Sequence, residues 1–362
     1  MSRAAIAILS TENLLHNLAV IKSHAPQSKV IAMVKANAYG HGLRSVSLRL
    51  QKHVYSLGVA SIDEALALRD VGIKIPITLM EGVFEPDELL VASCQGFHVV
   101  FHEQEQLRWL ERLSLPLPLT AWLKIDTGMG RLGITMADAR QAYQHLANNK
   151  FIVQPIGIMS HLACADELDH TLNKQQLAAF ADFVSNLPGP KSLCNSAGVF
   201  QFKHHQYDVV RPGIALYGAS PLADKSAAEL GLKPVMTLQT RLISARIVPQ
   251  GSAIGYGSRF VCPQDMPIGV IAMGYGDGYP RTVQEGTPIL VNGTRCTIIG
   301  RVSMDMATID LRPCPTATIG DPVILWGEGL PVDEVAQFTH HVSYDILTGV
   351  QSRVKFHWTL NV

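Results

Sequence analysis

The chain has 362 residues, of which 47% are hydrophobic and 17% are charged, so it can bury a large core and is not globally disordered. Lysine plus arginine and aspartate plus glutamate number 30 each, and this zero net charge argues against a nucleic-acid-binding protein, which needs a basic face. The length suits two domains, although one α/β barrel can use about 250 residues.

The cysteines and the apolar runs indicate the cellular compartment of the protein. The six cysteines are scattered, without a CxxC pair or the spacing of zinc ligands, so we expect reduced thiols and no metal site. The apolar stretch Ala4 to Leu9 is shorter than the core of an export signal, and no run reaches the roughly 18 residues of a membrane span. The sequence therefore predicts a soluble, cytoplasmic protein.

Apolar, β-branched runs alternate with amphipathic segments as far as about residue 220. The segments SIDEALALRDVG, EPDELLVASCQG and NKQQLAAFADFVSNLPG have the periodicity of helices. Eight regular units favour a closed (β/α)8 TIM barrel over a doubly wound open sheet. The predicted strands are Val30–Lys35, Tyr55–Ser61, Ile75–Met80, His98–His102, Thr120–Asp126, Gln154–Leu162, Lys191–Ser196 and Val209–Gly218.

After about Leu230 the pattern changes to short apolar runs separated by glycine, proline and Asn-Gly, which is typical of a mainly-β module. The pair Asn292-Gly293 between ILV and TRCTII predicts a two-residue hairpin turn. We therefore expect an α/β chain with a barrel domain at residues 1–230 and a β-rich C-terminal domain at residues 231–362.

Reactive side chains stand where the predicted barrel strands end. Lys35 closes the first strand and precedes the small-residue turn ANAYGHG. Burial at a barrel mouth favours a neutral amine, which can form a Schiff base, but a solvated lysine at a strand end is about equally consistent with the pattern. His161 ends the sixth strand, where a structural histidine is the ordinary interpretation.

The segment LKIDTGMGRLG ends the fifth predicted strand. Its glycines at 128, 130 and 133 match the GxGxxG spacing of dinucleotide-binding proteins, but that motif belongs after a first strand and needs an acidic residue about 20 positions later. We interpret the glycines as a tight loop that directs Arg131 at a carboxylate, for which a guanidinium is geometrically suited. A surface salt bridge of Arg131 is the alternative.

The seventh and eighth strands carry the segments NSAG and RPGI. Barrels often bind phosphate with the loops after these strands, so the Ser196 hydroxyl and the amides around Gly213 could hold a phosphate. Ordinary loop capping is the alternative. In the C-terminal half, Tyr256 and Tyr275 stand between glycines, which permits close approach to a ligand but is also typical of turns.

Together these motifs resemble the alanine racemases, fold-type III enzymes in which a barrel that binds pyridoxal phosphate (PLP) precedes a β-rich domain. The motifs VKANAYGHG, KIDTGMGRLG, SHLACADE, NSAG, RPGIALYG, GYG and GRVSMD occur in the order of that family, essentially from end to end. Two positions depart from the family pattern. Ser303 stands where the family often has cysteine, and Ser352 stands where some relatives place a phosphate-contacting tyrosine.

The resemblance implies a role for each of these residues. Lys35 and Tyr256 would be the catalytic bases, with Tyr256 supplied by the partner subunit of a homodimer. Lys124 matches a position that is carbamylated in some relatives. The implied cofactor-binding residues are Lys35, Tyr39, His161, Ser196, Arg211, Gly213 and Ile214. The implied substrate-binding residues are Arg131, Tyr275 and Met304.

The implied reaction is racemisation of L- and D-alanine, supplying D-alanine for peptidoglycan. Two alternatives stay open, a racemase of broader amino-acid specificity and a non-catalytic PLP-binding barrel protein. The β-rich domain with Tyr256 argues against the second, because a carrier needs no second base. A nicotinamide-dependent oxidoreductase, suggested only by the glycine spacing, is more remote.

Overall fold

The computed structural model describes residues 4–359, which form two compact units. Within the described residues, the first unit contains residues 18–216 and 221–225, and the second contains residues 4–17, 217–220 and 226–359. Strand β1 (Ile6–Ser10) and helix α1 (Thr11–His24) begin the described chain. No helix within residues 4–359 is long and apolar enough to cross a membrane.

The first unit is a parallel barrel whose eight strands follow one another in chain order. All eight predicted strands are present, but the last two end well before the predicted residues: the seventh ends at Ser192, with Ser196 beginning a helix, and the eighth ends at Val210, with Ile214–Tyr217 forming a 3-10 helix. The last strand pairs with the first, and a bridge between Asn195 and Arg211 joins the ends of the seventh and eighth. The strands are β2 (Lys29–Met33), β3 (Ser56–Val59), β4 (Ile77–Leu79), β5 (His98–Phe101), β6 (Leu119–Asp126), the short β7 (Ile134–Thr135) beside β6, β8 (Ile152–Met159), β9 (Lys191–Ser192) and β10 (Val209–Val210).

Helical segments follow the barrel strands. The three helices predicted from periodicity are confirmed as α4, α5 and α8, and Gly96, with φ of 63°, ends the second of them. The helical segments are α2 (Lys35–Tyr39), α3 (Leu43–Leu50), α4 (Ile62–Asp70), α5 (Pro86–Gln95), α6 (Gln104–Arg112), α7 (Ala139–Ala147), α8 (Thr171–Val184) and α9 (Ser196–Gln201).

The barrel interior is filled by large apolar side chains, so the reactive groups lie at its rim. Trp122 is buried inside, where it packs with Ile31, Val100 and Met159. A β-carbon at position 157 would come within 2.3 Å of the Trp122 ring, so the indole occupies the space beside Gly157. Because the interior is packed, the polar residues lie at the carboxyl ends of the strands. Barrel enzymes have their active sites at these ends.

The second unit is built on a mixed, mainly antiparallel sheet in the order β14-β17-β16-β15-β18-β11-β1-β19. Its further elements are β11 (Met236–Val248), β12 (Ala253–Ile254), β13 (Phe260–Val261), β14 (Met266–Ile271), β15 (Pro288–Val291), β16 (Thr294–Ile299), β17 (Ala307–Asp310), β18 (Pro322–Trp326), α10 (Val332–Ala336), α11 (Ser343–Thr348) and β19 (Lys355–Thr359).

Two pairings define this sheet. The hairpin predicted at Asn292-Gly293 is confirmed, because Val291 pairs with Thr294 and both turn residues have positive φ. Strand β1 pairs antiparallel with β11 and parallel with β19. The first strand of the chain therefore belongs to the sheet of the second unit, although it precedes the barrel in sequence.

Candidate active site

The predicted site residues fall into two groups, one in each unit. The barrel group lies at or just beyond the carboxyl ends of the strands and consists of Lys35, Tyr39, Lys124, Arg131, His161, Ser196, Arg211, Gly213 and Ile214. The second unit carries Tyr256, Tyr275 and Met304 in loops between its strands. The barrel mouth thus gathers residues from strands one, five, six, seven and eight.

Lys35 follows the first barrel strand and is paired with a carboxylate. Its Nζ lies 3.4 Å from Oε1 of Glu81, which comes directly after the third barrel strand, and both side chains are 37% exposed. The carbonyl of Glu81 is bonded to Nε2 of His102 at 2.9 Å. From the sequence, a buried and a solvated Lys35 are about equally consistent with the pattern, and nothing points to Glu81, because the pairing joins residues 46 positions apart.

The segment after Lys35 is a left-handed turn, since Ala36, Asn37, Ala38 and Tyr39 have φ between 52° and 55°. Such a conformation costs about 1–2 kcal/mol per non-glycine residue, so the surroundings must stabilise it. The carboxylate of Glu64 accepts hydrogen bonds from the backbone N–H groups of Ala36 and Ala60, both at 2.8 Å. Asn37 Oδ1 accepts a further bond from the backbone of α3.

This turn brings Tyr39 to the end of the eighth strand. A β-carbon at Gly213 would lie 2.3 Å from the Tyr39 hydroxyl, so only a glycine leaves room for it. Ser196 Oγ accepts hydrogen bonds from the N–H groups of Gly213 at 2.8 Å and Ala215 at 3.4 Å. Burial raises the pKa of Tyr39 to about 12, so the phenol stays protonated and can donate. Together with the buried Ile214, these groups form a cradle of hydroxyls and amides suited to a phosphate.

Arg211 is buried and fixed beneath this cradle. Its Nη1 donates to Ser192 Oγ at 2.5 Å, and its Nη2 donates to the carbonyls of Ser160 at 2.5 Å and Leu193 at 3.3 Å. Nδ1 of His161 lies 3.4 Å from the same Nη2. Burial lowers the pKa of Arg211 to about 10, so the guanidinium remains charged at neutral pH.

Burial and neighbouring cations favour the neutral forms of Lys124 and His161. Burial is the largest cause that lowers the pKa of Lys124 to about 8, followed by the cations of Arg211, Arg131 and Lys35, while Glu81 opposes the shift. Burial, followed by Arg211 and Lys124, holds the pKa of His161 well below its ordinary value. Of Lys35 and Lys124, Lys124 is therefore the more deeply buried lysine.

Arg131 stands in a loop that a single carboxylate closes. Asp126 accepts hydrogen bonds from the backbone N–H groups of residues 128, 129 and 130 at 2.8–2.9 Å. Gly133 has φ of +144°, and a β-carbon there would lie 2.6 Å from the backbone nitrogen of Asp126. The three glycines therefore shape the loop beyond the fifth strand, as the sequence analysis expected. Asp126 was not singled out, although it stands within the motif.

In the second unit, Tyr256 lies in a turn between Gly255 and Gly257, which both have positive φ. The Tyr256 side chain is 71% exposed. A β-carbon at Gly257 would lie 3.5 Å from Nη1 of Arg301, so a guanidinium adjoins the turn. Arg301 belongs to the motif GRVSMD but was not singled out from the sequence.

The loops of Tyr275 and Met304 are joined to each other. The N–H of Tyr275 donates to the carbonyl of Ser303 at 3.1 Å, and the N–H of Gly276 donates to the carbonyl of Met304 at 2.8 Å. The Tyr275 and Met304 side chains remain partly exposed. The two predicted substrate contacts of this unit therefore share one small surface.

The buried carboxylate of Asp277 and the guanidinium of Arg353 hold the loops of Tyr275 and Met304 in place. Arg353 Nε donates to Asp277 at 2.8 Å, and its Nη2 donates to Asp305 at 2.7 Å. Asp277 is fully buried and also accepts a hydrogen bond from the N–H of Gly274. Arg353 follows the exposed Ser352.

Comparisons with known proteins cover both units. The family model "Alanine racemase, N-terminal domain" matches residues 9–221, and "Alanine racemase, C-terminal domain" matches residues 235–358. The chain is 46% identical to "Alanine racemase" of Aeromonas hydrophila, covering 97% of this chain and 98% of that protein. It is 46% identical to "Alanine racemase, biosynthetic" of Escherichia coli, with the same coverage. The crystal structure of biosynthetic alanine racemase from Pseudomonas aeruginosa superimposes with a TM-score of 0.96 at 42% identity, covering 99% of this chain and 100% of that one.

Proposed function

Because the chain belongs to the alanine racemase family of enzymes, which interconvert L- and D-alanine, we propose that it does so with PLP and two bases, Lys35 and Tyr256. The observation that carries the proposal is the barrel mouth itself. A primary amine, a cradle for a phosphate and a buried guanidinium lie there at the ends of neighbouring strands. This donor set suits a phosphorylated aldehyde.

The residues present fit PLP. Tyr39, Ser196 and the amides around Gly213 and Ile214 would hold its phosphate, because the space beside Gly213 admits no β-carbon and is bordered by donors. Lys35 would bind the aldehyde covalently. When bound, PLP disperses the negative charge that develops at the substrate Cα.

Arg211 and His161 would support the ring of the cofactor. The guanidinium of Arg211 stays protonated at neutral pH and would donate to the ring nitrogen without surrendering its proton. His161, held neutral, would orient Arg211 through the contact between Nδ1 and Nη2.

Racemisation needs a proton removed from one face of Cα and another delivered to the opposite face. Lys35 serves the face toward the first barrel strand, and Tyr256 of the partner subunit in a homodimer serves the other. The support for an intermolecular role is the exposure of this phenol, 71% of whose side chain is accessible in the single chain. Its base form needs stabilisation near neutrality, for which the Arg301 guanidinium beside the turn is placed.

The remaining residues would bind alanine. Arg131 would pair with the substrate carboxylate, Met304 would contact the substrate, and Tyr275 would line the entrance. Lys124, whose pKa is lowered to about 8, would react in its neutral form with carbon dioxide, releasing a proton, to give a carbamate that orients Arg131. We place the enzyme in the cytoplasm, supplying D-alanine for peptidoglycan, on the support of its similarity to the two relatives named biosynthetic.

Colour and turnover test the proposal together. Purified protein should be yellow and should convert either alanine enantiomer to the racemate without added nucleotide. Tyr256→Phe should abolish most turnover and leave the colour, whereas the exposed Tyr344→Phe should change neither. A colourless protein, or one that requires NAD, would refute the assignment. Equal turnover of serine or lysine would instead identify the broader racemase.

Complementation tests the shared site. Lys35→Ala and Tyr256→Phe should each be inactive alone. After the subunits are exchanged by mixing, heterodimers contain one intact site, so about a quarter of wild-type activity should return. Mixtures that stay inactive although heterodimers form would show that both bases come from the same chain.

A further inference from the structure

The loop that carries Arg131 rests on the first turns of helix α8. Gly128, with φ of +133°, is the point of contact. A β-carbon there would lie 3.2 Å from Leu172 Cδ1 and 3.5 Å from Gln176 Cγ, so loop and helix are in close approach. The position of the loop therefore depends on two side chains that no sequence motif includes.

Gln176 forms a hydrogen bond to the Arg131 loop in addition to its close approach to Gly128. This residue is fully buried, and its Nε2 donates to the carbonyl of His161 at 2.9 Å and to Thr127 Oγ1 at 3.3 Å. Its Oε1 accepts from the N–H of Ala163 at 2.9 Å. One side chain thus connects the segment that follows the fifth strand to the segment that follows the sixth.

Thr127 continues the network to Arg211. Its hydroxyl lies 2.8 Å from Ser160 Oγ, and both residues are buried. The carbonyl of Ser160 accepts a hydrogen bond from Arg211 Nη2. Asp126, which closes the Arg131 loop with its carboxylate, directly precedes Thr127. The network therefore runs without interruption from the Arg131 loop to the guanidinium beneath the phosphate cradle.

We propose that Thr127 and Gln176 are positioning residues for substrate binding, which hold the Arg131 loop at a set distance from His161 and Arg211. The inference rests on the proposed function in one respect, the binding of the substrate carboxylate by Arg131. Neither residue touches the substrate; both act through the loop. Buried, fully bonded polar side chains of this kind fix one geometry, because any other arrangement leaves a polar atom unsatisfied.

Two variants of similar shape test the proposal. Thr127→Val and Gln176→Met each remove hydrogen bonds while keeping most of the side-chain volume. Thr127→Val removes two hydrogen bonds and Gln176→Met removes three. Since one lost hydrogen bond corresponds to about a three- to tenfold loss of affinity, each variant should raise KM for alanine by at least that factor, with kcat and the absorbance of the bound cofactor near the wild-type values. The KM of the double variant should not exceed that of the single variant with the higher KM, because both substitutions act on the position of the same Arg131 loop.

Asn173→Leu is the matched control. Asn173 lies one turn earlier on α8, is buried, and donates to the carbonyls of Cys164 and Glu167. It should reduce stability as the other variants do while leaving KM unchanged. If KM rises as much in Asn173→Leu as in Gln176→Met, the cause is a general destabilisation of α8, and the proposal is wrong.

Arg131→Lys separates the inference from the function on which it rests. If this variant leaves KM unchanged, the role proposed for Arg131 is wrong. If it raises KM while Thr127→Val and Gln176→Met do not, only the positioning role is wrong. Thr127→Val decides the question alone should Gln176→Met fail to fold, because it changes a single hydroxyl.

Discussion

The α-carbon of Gly213 faces the Tyr39 hydroxyl so closely that a β-carbon at position 213 would lie 2.3 Å from that oxygen. Tyr39 reaches this place because four consecutive residues of its turn are left-handed. The N–H of Gly213 is at the same time bonded to Ser196 Oγ. The proposed phosphate cradle therefore depends on the absence of a side chain at Gly213 as much as on its hydrogen-bond donors.

Gly213→Ala should displace the Tyr39 hydroxyl and weaken retention of PLP. A lost hydrogen bond to a charged group corresponds to roughly a tenfold to hundredfold fall in affinity, which dialysis followed by absorbance would measure. Gly72→Ala is the control, since Gly72 has positive φ and has no atom within 4 Å of its β-carbon position. Gly72→Ala should cost stability alone. Unchanged retention in Gly213→Ala would refute the cradle.

Lys124 should form its carbamate in a pH-dependent way. A pKa lowered to about 8 makes about half of the amine neutral at that pH, more above it and less below it. Protein kept in ¹³C-bicarbonate should therefore show a carbamate NMR signal that grows from about pH 7 to about pH 9. Lys124→Met should lack the signal, and the exposed Lys74→Met should retain it. The same signal in Lys124→Met would assign the carbamate elsewhere.

Arg211 should limit side reactions. Its pKa of about 10 keeps the guanidinium charged, and it cannot readily give its proton to the ring nitrogen, whereas a carboxyl group at this place could share one. Arg211→Glu should therefore raise the amount of pyruvate formed by transamination per racemisation event. The exposed Arg140→Glu should leave this ratio at its wild-type value. An unchanged ratio in Arg211→Glu would contradict the role.

Arg353 should stabilise the second unit. Arg353→Met removes the cation from the fully buried Asp277, and because the arginine is itself partly exposed the free energy of unfolding should fall by about 1–3 kcal/mol. Denaturant titration measures this quantity. Arg295→Met, which breaks an exposed pair with Glu334, should cost less than about 1 kcal/mol. Equal losses in both variants would mean that the burial of Asp277 has no energetic consequence.

Local patterns predicted the elements because each is defined within a few residues. The barrel strands followed from apolar runs and the Asn292-Gly293 hairpin from its turn residues, and both are confirmed. The pairing of β1 with β11 was not predicted, since the paired residues Ile6 and Gln239 are separated in sequence by most of the chain. A short apolar strand carries no local sign of which sheet it joins.

The motifs located the site but not the side chains that hold it together. Glu81, Glu64 and Gln176 act on groups brought near by the barrel, so no spacing in the sequence indicates them. The sequence did not indicate that Lys124 is more deeply buried than Lys35, because burial depends on the packing of several strands at once. Asp126 could have been found, since it precedes the glycine loop that its carboxylate closes.

The central claim is that Lys35 is the point at which PLP is covalently attached. Borohydride reduction of the yellow enzyme would make that attachment permanent, and peptide mapping would locate it. The label should appear on the peptide that contains Lys35. A label on Lys124, the buried lysine whose pKa falls to about 8, or on any other residue would contradict the assignment of the cofactor, the first base and the site built around them.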